Sequence, residues 1–278
     1  MVSLSLGTAQ WGDPYGVTNQ VGRLTDASVS EIVSIAIALG IADLDTAPGY
    51  GDAERRIAPW SKDFAVTTKV RGGLSISARD QVTASLVTLG CQAVDACLVH
   101  DWSSLTPSEA QRVAADLETL RTEGVVGQVG ISAYDSDDVG KAQDAFSSLD
   151  RVQVPVNILD RRLVSDRLIL QSWESGTRFI ARSVFLQGLL ATDADTGLGK
   201  HPDVMNFHEV CRRQRISPTS AALDFVRCLP WISQLVVGVT SAAELENLGE
   251  IWAAAPMANL IDCSSLDLDL IDPRRWRA

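Results

Sequence analysis

Short apolar segments alternate with amphipathic helical segments from one end of this chain to the other. This alternation predicts a parallel sheet in which helices connect neighbouring strands. No GxGxxG turn follows the first strand, so a closed (β/α)8 TIM barrel is favoured over an open doubly wound sheet. We therefore expect residues 1–278 to form a single α/β barrel domain. The strands are predicted at Ser3–Gly7, Ala42–Asp45, Ala65–Val70, Ala93–Val99, Gly127–Ile131, Arg151–Val154, Arg178–Ala181 and Leu235–Val239.

Helix-start signals support the same segmentation. Thr106-Pro107-Ser108-Glu109 combines a capping residue, a proline at the first helical position and an acid that can close a capping box. The polar stretch Thr192–His201 is predicted to be a mobile loop at the barrel mouth. Further start signals stand at Ser28 with Glu31, at Ser217-Pro218 and at Ser241 with Glu244. Helices are predicted over Ser28–Leu39, Ala53–Trp60, Ser77–Leu89, Pro107–Glu123, Asp137–Ser147, Leu163–Ser175, Pro218–Cys228 and Ala242–Ala254, with one more within Asp203–Arg215.

The composition bears on partners and location. A net charge of −11 and a pI near 4.7 argue against nucleic-acid binding, because that requires clustered lysines and arginines. The five cysteines show neither a CxxC pair nor zinc-ligand spacing, which predicts reduced thiols and no metal site. The N-terminus lacks a secretory signal, and no apolar run reaches the roughly 18 residues that suggest a membrane span. We expect a soluble, cytoplasmic protein that is a monomer or a small homo-oligomer.

Four titratable residues follow successive predicted strands: Asp45 and then Tyr50 after the second, Lys69 in the third, and His100 after the fourth. In a parallel barrel the strand ends collect at one mouth, so these residues are expected to meet. An ammonium beside a tyrosine stabilises the phenolate and lowers the pKa of the phenol. Asp45 could hold Lys69 protonated, and His100 could hydrogen-bond a substrate oxygen beside Tyr50. Together they predict a proton-transfer site that activates a carbonyl group.

These residues lie in segments that resemble the aldo/keto reductase superfamily, in particular a shorter bacterial branch. The resemblance is carried by Asp45–Glu54 (DTAPGYGDAE), Thr68–Val70 and Leu98–His100, and it extends to later segments such as Gln187–Leu190. It implies that the four residues above are the family's catalytic Asp, Tyr, Lys and His. It also implies a (β/α)8 barrel that transfers a hydride between NAD(P)H and an aldehyde or ketone, with Tyr50 as the proton donor.

By the same resemblance, the nicotinamide would lie at the barrel mouth. Ser132 and Gln153 are expected to hold its carboxamide, while Ser183 and Leu186 lie where the loop after the seventh strand covers the pyrophosphate. Arg182 stands where many members carry an aromatic residue that stacks on the nicotinamide. This arginine could contact a cofactor phosphate or an anionic substrate, or it could pair with an acid.

The resemblance also implies that the segment after the eighth strand binds the adenosine end of the cofactor. It contains no lysine or arginine, but Thr240 and Ser241 at a helix start can receive a phosphate through hydroxyls and backbone amides. Glu244 would oppose a 2′-phosphate if it pointed inward, or it could close the capping box of Ser241. The choice between NADPH and NADH stays open, with NADPH slightly favoured by family habit. The expected contacts are Gly238, Thr240, Ser241 and Asn247.

Aromatic residues after strand ends are candidates for the substrate pocket. Trp11, Tyr15 and Trp102 are expected to form its walls, with Phe185 as a further candidate. Arg161-Arg162, after the sixth strand, could bind an anionic substrate group or form a solvated helix entry. Without a long C-terminal lid, the pocket would be open and would suit a larger or polar substrate.

The leading hypothesis is an NAD(P)-dependent oxidoreductase that reduces a small-molecule aldehyde or ketone to an alcohol. One alternative is a catalytically silent sensor or partner subunit that binds a nicotinamide nucleotide. A second is a barrel enzyme that forms a Schiff base on Lys69. That chemistry fits poorly, because a neighbouring Asp45 raises the pKa of the amine, whereas imine formation needs it lowered.

Overall fold

Eight parallel strands close into a barrel in the computed structural model, which describes residues 2–192, 197–256 and 262–276. Each strand pairs with the next along the chain, and the last strand pairs with the first to close the ring. The predicted (β/α)8 TIM barrel is therefore confirmed. The strands are β1 (Ser3–Gly7), β2 (Asp43–Asp45), β3 (Ala65–Val70), β4 (Val94–Val99), β5 (Val126–Ser132), β6 (Arg151–Pro155), β7 (Arg178–Arg182) and β8 (Ile232–Gly238).

Helices follow the strands in the order that the sequence predicts. The capping box at the start of α5 is confirmed, since Thr106 accepts from the Glu109 N–H and Glu109 accepts from the Thr106 N–H. Ser217 caps α9, also as predicted. The helices are α1 (Ala9–Gly12), α2 (Asp26–Ala38), α3 (Ala53–Ile57), α4 (Ala78–Leu89), α5 (Pro107–Thr122), α6 (Ser136–Ala145), α7 (Arg167–Glu174), α8 (Pro202–Gln214), α9 (Pro218–Arg227), α10 (Ala242–Ala253) and α11 (Leu268–Ile271).

Two helices begin two or more residues away from the predicted start, at Asp26 and at Arg167. Thr25 rather than Ser28 caps α2, because its Oγ1 accepts the Ser28 N–H at 3.1 Å. Helix α7 begins after Asp166 and not at Leu163, because Asp166 Oδ1 accepts the Leu168 N–H at 2.9 Å. Each start is fixed by hydrogen bonds from backbone N–H groups to a capping side chain, which hydrophobic periodicity does not reveal.

The strands are buried on both faces, inward in the barrel and outward under the helices, and their apolar residues form one continuous core. Of the predicted mobile loop Thr192–His201, residues 193–196 lie outside the described residues, and Gly197–Lys200 form a 3-10 turn. Among the residues that the structure describes, no helix is both long and apolar enough to span a membrane.

Candidate active site

A buried ion pair connects the ends of β2 and β3. Lys69 Nζ lies 2.6 Å from Asp45 Oδ1 and donates a second hydrogen bond, of 3.0 Å, to the carbonyl oxygen of Thr46. The Lys69 side chain is only 1% exposed. The other Asp45 oxygen accepts a 2.8 Å bond from Gln153 on β6, on the opposite side of the barrel. Both carboxylate oxygens are thus held, and the lysine is fixed at the floor of the mouth.

Tyr50 lies between this ion pair and His100. The Lys69 ammonium is 4.9 Å from the centroid of the Tyr50 ring. The rings of Tyr50 and His100 meet edge to face, with centroids 5.7 Å apart. The backbone N–H of His100 donates to Val70 at the end of β3, which fixes where β4 stops and the histidine begins. The structure therefore brings together the four residues that the sequence singled out.

The charges in this cluster determine its protonation. Burial works against the Lys69 ammonium, but Asp45 and Tyr50 overcome it, and the pKa of Lys69 is raised. Burial raises the pKa of the Tyr50 phenol, and the opposing effect of Lys69 does not cancel it. The expectation that Lys69 would lower the pKa of Tyr50 was therefore incomplete, because it left out desolvation. At neutral pH the phenol carries its proton and the lysine is charged.

His100 has the opposite shift. Burial, and then the positive charges of Lys69 and Arg182, lower the pKa of its imidazole to about 3. The ring is consequently neutral at neutral pH, with one nitrogen that donates a hydrogen bond and one that accepts. A neutral donor beside a tyrosine phenol is suited to orienting a carbonyl oxygen.

The loop that carries Tyr50 is held by close backbone contacts and a buried carboxyl. A Cβ on Gly12 would lie 1.7 Å from the Tyr50 carbonyl oxygen, so only glycine fits there. Gly51 takes a positive φ of 57°, and a Cβ there would lie 2.6 Å from the Gly12 carbonyl oxygen. At the start of α3, the buried Glu54 accepts a 2.6 Å bond from Thr68, the neighbour of Lys69. These contacts position the phenol, and the sequence analysis missed the role of Gly12.

A pocket of about 960 Å³ opens above this cluster at the carboxyl ends of the strands. That volume falls within the range of about 300–1,000 Å³ that is usual for small-molecule and cofactor sites. A second cavity, of about 390 Å³ and lined by residues such as Leu149 and Arg178, contains none of the predicted site residues. Of the predicted residues, the larger pocket is lined by Tyr15, Asp45, Tyr50, His100, Ser132, Gln153, Arg182, Ser183, Phe185, Gly238, Thr240 and Asn247.

Two predicted pocket walls are wrong. Trp11 and Trp102 are fully buried and do not line the pocket. Helix α1 directs Trp11 into the core, and Trp102 packs against Phe146 while its Nε1 donates to the Asp138 carbonyl at 2.9 Å. Position after a strand end does not distinguish an aromatic residue that faces the mouth from one that turns under a helix.

Two predicted cofactor contacts also lie outside the lining. The side chain of Leu186 is fully buried, although its neighbour Gln187 lines the pocket. Ser241 caps α10 by accepting the Glu244 N–H at 3.2 Å. The predicted box is only half formed, because the Glu244 carboxylate turns to Thr240 instead and accepts from its N–H and its hydroxyl. Glu244 thereby lies in the pocket lining.

Arg161 and Arg162 lie away from the pocket. The Arg162 guanidinium donates two 2.8 Å bonds to the buried Asp160, and Arg161 stacks on Phe225 with 4.6 Å between guanidinium carbon and ring centroid. Neither lines the pocket, and the suggestion that they bind an anionic substrate group is therefore not supported.

The C-terminal tail contributes residues that the sequence analysis missed. Ser265 donates its N–H to Leu159 at 2.9 Å, and the turn after α11 then brings Pro273 and Arg274 into the pocket lining. Tyr134, after β5, lines it too. The pocket mouth, which was expected to be open, is therefore partly covered by the tail. The sequence does not reveal this, because a short tail without periodicity gives no sign of where it packs.

This chain is similar in sequence to known oxidoreductases. The aldo/keto reductase family matches residues 3–257. D-threo-aldose 1-dehydrogenase from a Pseudomonas species is 26% identical, over 89% of this chain and 93% of that protein. NADH-specific methylglyoxal reductase from Escherichia coli K12 is 28% identical, over 54% of each chain.

Solved structures show the same fold. The holo form of aldo-keto reductase AKR11C1 from Bacillus halodurans superposes with a TM-score of 0.76 at 20% identity, covering 92% of this chain and 88% of that one. Glycerol dehydrogenase AKR11B4 from Gluconobacter oxydans gives 0.71 at 19% identity, covering 91% and 87%. With the family match over nearly its whole length, this chain belongs to the aldo/keto reductases, a family of oxidoreductases that act on small-molecule carbonyl compounds.

Proposed function

We propose that this protein reduces an aldehyde or ketone to an alcohol with a nicotinamide dinucleotide, Tyr50 being the proton donor. The observation that carries the proposal is the cluster at the pocket floor, where the phenol of Tyr50 lies over the buried Lys69–Asp45 pair and beside His100. A bound reduced nicotinamide would supply the hydride for the carbonyl carbon.

Each residue of the cluster has a distinct task in this proposal. His100, neutral because burial and the nearby positive charges lower its pKa, donates a hydrogen bond that orients the carbonyl oxygen. The Tyr50 hydroxyl transfers its proton to that oxygen as negative charge develops on it. Lys69 stabilises the resulting phenolate, and Asp45 keeps the lysine charged. Solvent then returns a proton to Tyr50.

The pocket residues fit a nicotinamide dinucleotide. Ser132 and Gln153 supply a hydroxyl and an amide beside the catalytic cluster, which suits a carboxamide. At the other end, the first turn of α10 supplies backbone amides, and Thr240 and Asn247 add polar side chains. A Cβ on Gly238 would lie 2.5 Å from the Gln10 amide, so glycine keeps this part of the pocket free.

The alternative of a Schiff base on Lys69 is disfavoured by charge. Imine formation requires a neutral amine at working pH, whereas Asp45 and Tyr50 raise the pKa of Lys69. The lysine is also fully buried beneath Tyr50 and is not part of the pocket lining. No observation favours this reaction.

The proposal is tested by titrating the protein with NADH and with NADPH and following the fluorescence of its seven tryptophans. Aldehydes of different size are then screened for oxidation of the bound nucleotide at 340 nm. Saturable binding with aldehyde-dependent oxidation is the expected result. Binding without turnover across the panel would favour a silent sensor, and absence of binding would reject a nicotinamide site.

We also infer that NADH is the preferred nucleotide, against the slight lean to NADPH that family habit suggests. Glu244 lines the pocket at the first turn of α10, and the lysines and arginines of the described lining are Arg182 and Arg274. A carboxylate there repels a 2′-phosphate but can accept a hydrogen bond from a ribose hydroxyl. The name of one relative, NADH-specific methylglyoxal reductase, is consistent with this preference.

The variant Glu244→Gln tests the preference. Removing the charge should tighten NADPH binding about fivefold, since one repulsive pair near a solvated surface amounts to roughly 1 kcal/mol. NADH binding should change less than about twofold by the same reasoning. Glu246→Gln, an exposed position of the same helix outside the pocket, is the matched control. Tighter NADPH than NADH binding in the unaltered protein would contradict the inference.

A further inference from the structure

Arg182 ends β7 and points its guanidinium across the mouth toward β5. Its Nη2 donates to the Ala133 carbonyl at 3.1 Å and its Nη1 to the Ser183 hydroxyl at 3.4 Å. Its Nε is buried without a hydrogen-bond partner among the described residues. A guanidinium has five N–H donors, so one N–H on each terminal nitrogen remains free for a ligand besides the buried Nε–H.

Within the described residues, this arginine also lacks a counter-charge. Arg162 and Arg56, which are likewise largely removed from solvent, pair with the acids Asp160 and Asp52. No acidic side chain within the described ranges forms an ion pair with Arg182, whose partners are a carbonyl, a hydroxyl and the Tyr134 ring. A half-buried charge without an anion is costly, and a ligand can supply the anion.

A second arginine lies beside it. The guanidiniums of Arg182 and Arg274 are 4.3 and 3.9 Å from the centroid of the same Tyr134 ring. Arg274 differs in being paired with Asp272 through its Nε and Nη2, at 2.9 and 2.6 Å. The pair therefore carries one positive charge that no acid of the described ranges compensates, and both side chains line the pocket.

The position of this charge indicates which ligand it meets. After burial and Lys69, Arg182 is the next cause of the low pKa of His100, and it acts on Tyr50 as well. Its charge therefore acts at the end of the pocket that holds Tyr50 and His100. The adenosine end proposed above is instead marked by Thr240 and Glu244.

We propose that Arg182, with Arg274 beside it, binds a carboxylate carried by the carbonyl substrate. A single uncompensated guanidinium matches a planar monoanion, to which it can donate two parallel hydrogen bonds. A phosphate dianion would leave negative charge unmatched. This inference rests on the proposed carbonyl reduction and narrows its substrates to aldehydes or ketones that bear a carboxylate group.

The test compares 4-carboxybenzaldehyde with its neutral isostere 4-carbamoylbenzaldehyde. In Arg182→Met, kcat/KM for the carboxylate should fall about 10- to 100-fold, the usual value of a charge-assisted hydrogen bond. The change for the amide should stay below about threefold by the same reasoning. Arg182→Lys should recover part of the loss, because it restores the charge without the planar donor pair. Arg213→Met, at an exposed site on α8 paired with Glu209, is the matched control.

A binding measurement separates this inference from the proposed function. The unreactive alcohols 4-(hydroxymethyl)benzoate and 4-(hydroxymethyl)benzamide are titrated calorimetrically into the protein with and without NADH. Preferential binding of the benzoate, lost in Arg182→Met, supports the carboxylate site even if neither aldehyde is turned over. Equal effects of Arg182→Met on both aldehydes, or a tenfold loss of NADH affinity in that variant, would overturn it and assign Arg182 to general positioning or to the nucleotide.

Discussion

At the ends of β2, β3 and β4 the functional side chains are buried and held by one another, whereas around β7 and β8 the pocket is lined by loop, helix-cap and tail residues. Asp45 and Lys69 are fixed by an ion pair within the core. The loop after β7 holds Ser183, Leu186 and Gln187 at positive φ, and strain at non-glycine residues of this kind is typical of functional sites. In the proposed function, the first region carries out the chemistry, and the second determines which ligands bind.

The largest expected effect lies in the buried region. Tyr50→Phe removes the only hydroxyl of that side chain and keeps its ring on Lys69 and His100. Loss of a general acid lowers kcat by about 10²- to 10⁴-fold. Nucleotide affinity should be unchanged in the fluorescence titration. Retention of near-normal kcat would mean that the proton comes from another group.

A smaller but still large effect is expected from the backbone that supports Tyr50. Gly12→Ala places a methyl group where the Tyr50 carbonyl oxygen lies and must displace the loop. A shift of about 1 Å in a catalytic group costs up to roughly 10²-fold in rate. Gly140→Ala, where a Cβ makes an ordinary contact at 3.4 Å, is the control. Steady-state kinetics with full activity in Gly12→Ala would show that the loop adapts.

In the region around β7 and β8, which is lined by loop, helix-cap and tail residues, the effect should fall on substrate binding. Trp276→Ala removes the 3.0 Å bond from Trp276 Nε1 to Leu270 that ties down the tail beside Arg274. KM for a carboxylated aldehyde should rise about three- to tenfold, as expected for one lost hydrogen bond, with kcat within about twofold. Trp173→Ala, at a position 38% exposed on α7, is the control. A loss of kcat as large as that of Tyr50→Phe would remove the distinction between the two regions.

The smallest effect concerns stability rather than turnover. The pKa of His100 is lowered to about 3 in the folded protein, from an ordinary value near 6.5. Between these values the unfolded chain binds a proton there that the folded chain does not, so stability falls as pH drops from about 6.5 toward 3. The slope from one group is at most about 1.4 kcal/mol per pH unit. Urea unfolding at pH 7, 6 and 5 should show a smaller loss in His100→Asn, and equal losses would contradict this account.

The same division separates what the sequence predicts from what it does not. Asp45, Lys69 and His100 are predictable because each stands at a strand end, and parallel strands deliver their ends to one mouth. Whether a helix or turn directs a given side chain into the pocket or into the core depends on tertiary packing, which the neighbouring sequence does not show. Trp102 was misplaced for that reason, since its indole satisfies a buried carbonyl instead of facing the pocket. Arg274 was missed because a tail packs through single contacts without a repeat.

The electrostatic effects in the site could likewise be predicted only in part from the sequence. The sign of the effect of Asp45 on Lys69 followed from their identities, and the structure agrees. The direction of the pKa shift of Tyr50 could not be predicted from the sequence, because it depends on how completely the ring is desolvated. Glu244 is a similar case: its position suggested a capping box, and its observed bond to Thr240 turns the charge into the pocket.

Pro273 and Arg274 lie in the C-terminal tail, which contributes no strand to the closed barrel. Closure depends on β8 meeting β1, and the cluster of Asp45, Lys69, Tyr50 and His100 depends on β2 to β4 and β6. Selection can therefore replace residues in the tail without disturbing either. Among homologous barrels, we expect this stretch to diverge fastest and to mark where one lineage's choice of metabolite departs from another's.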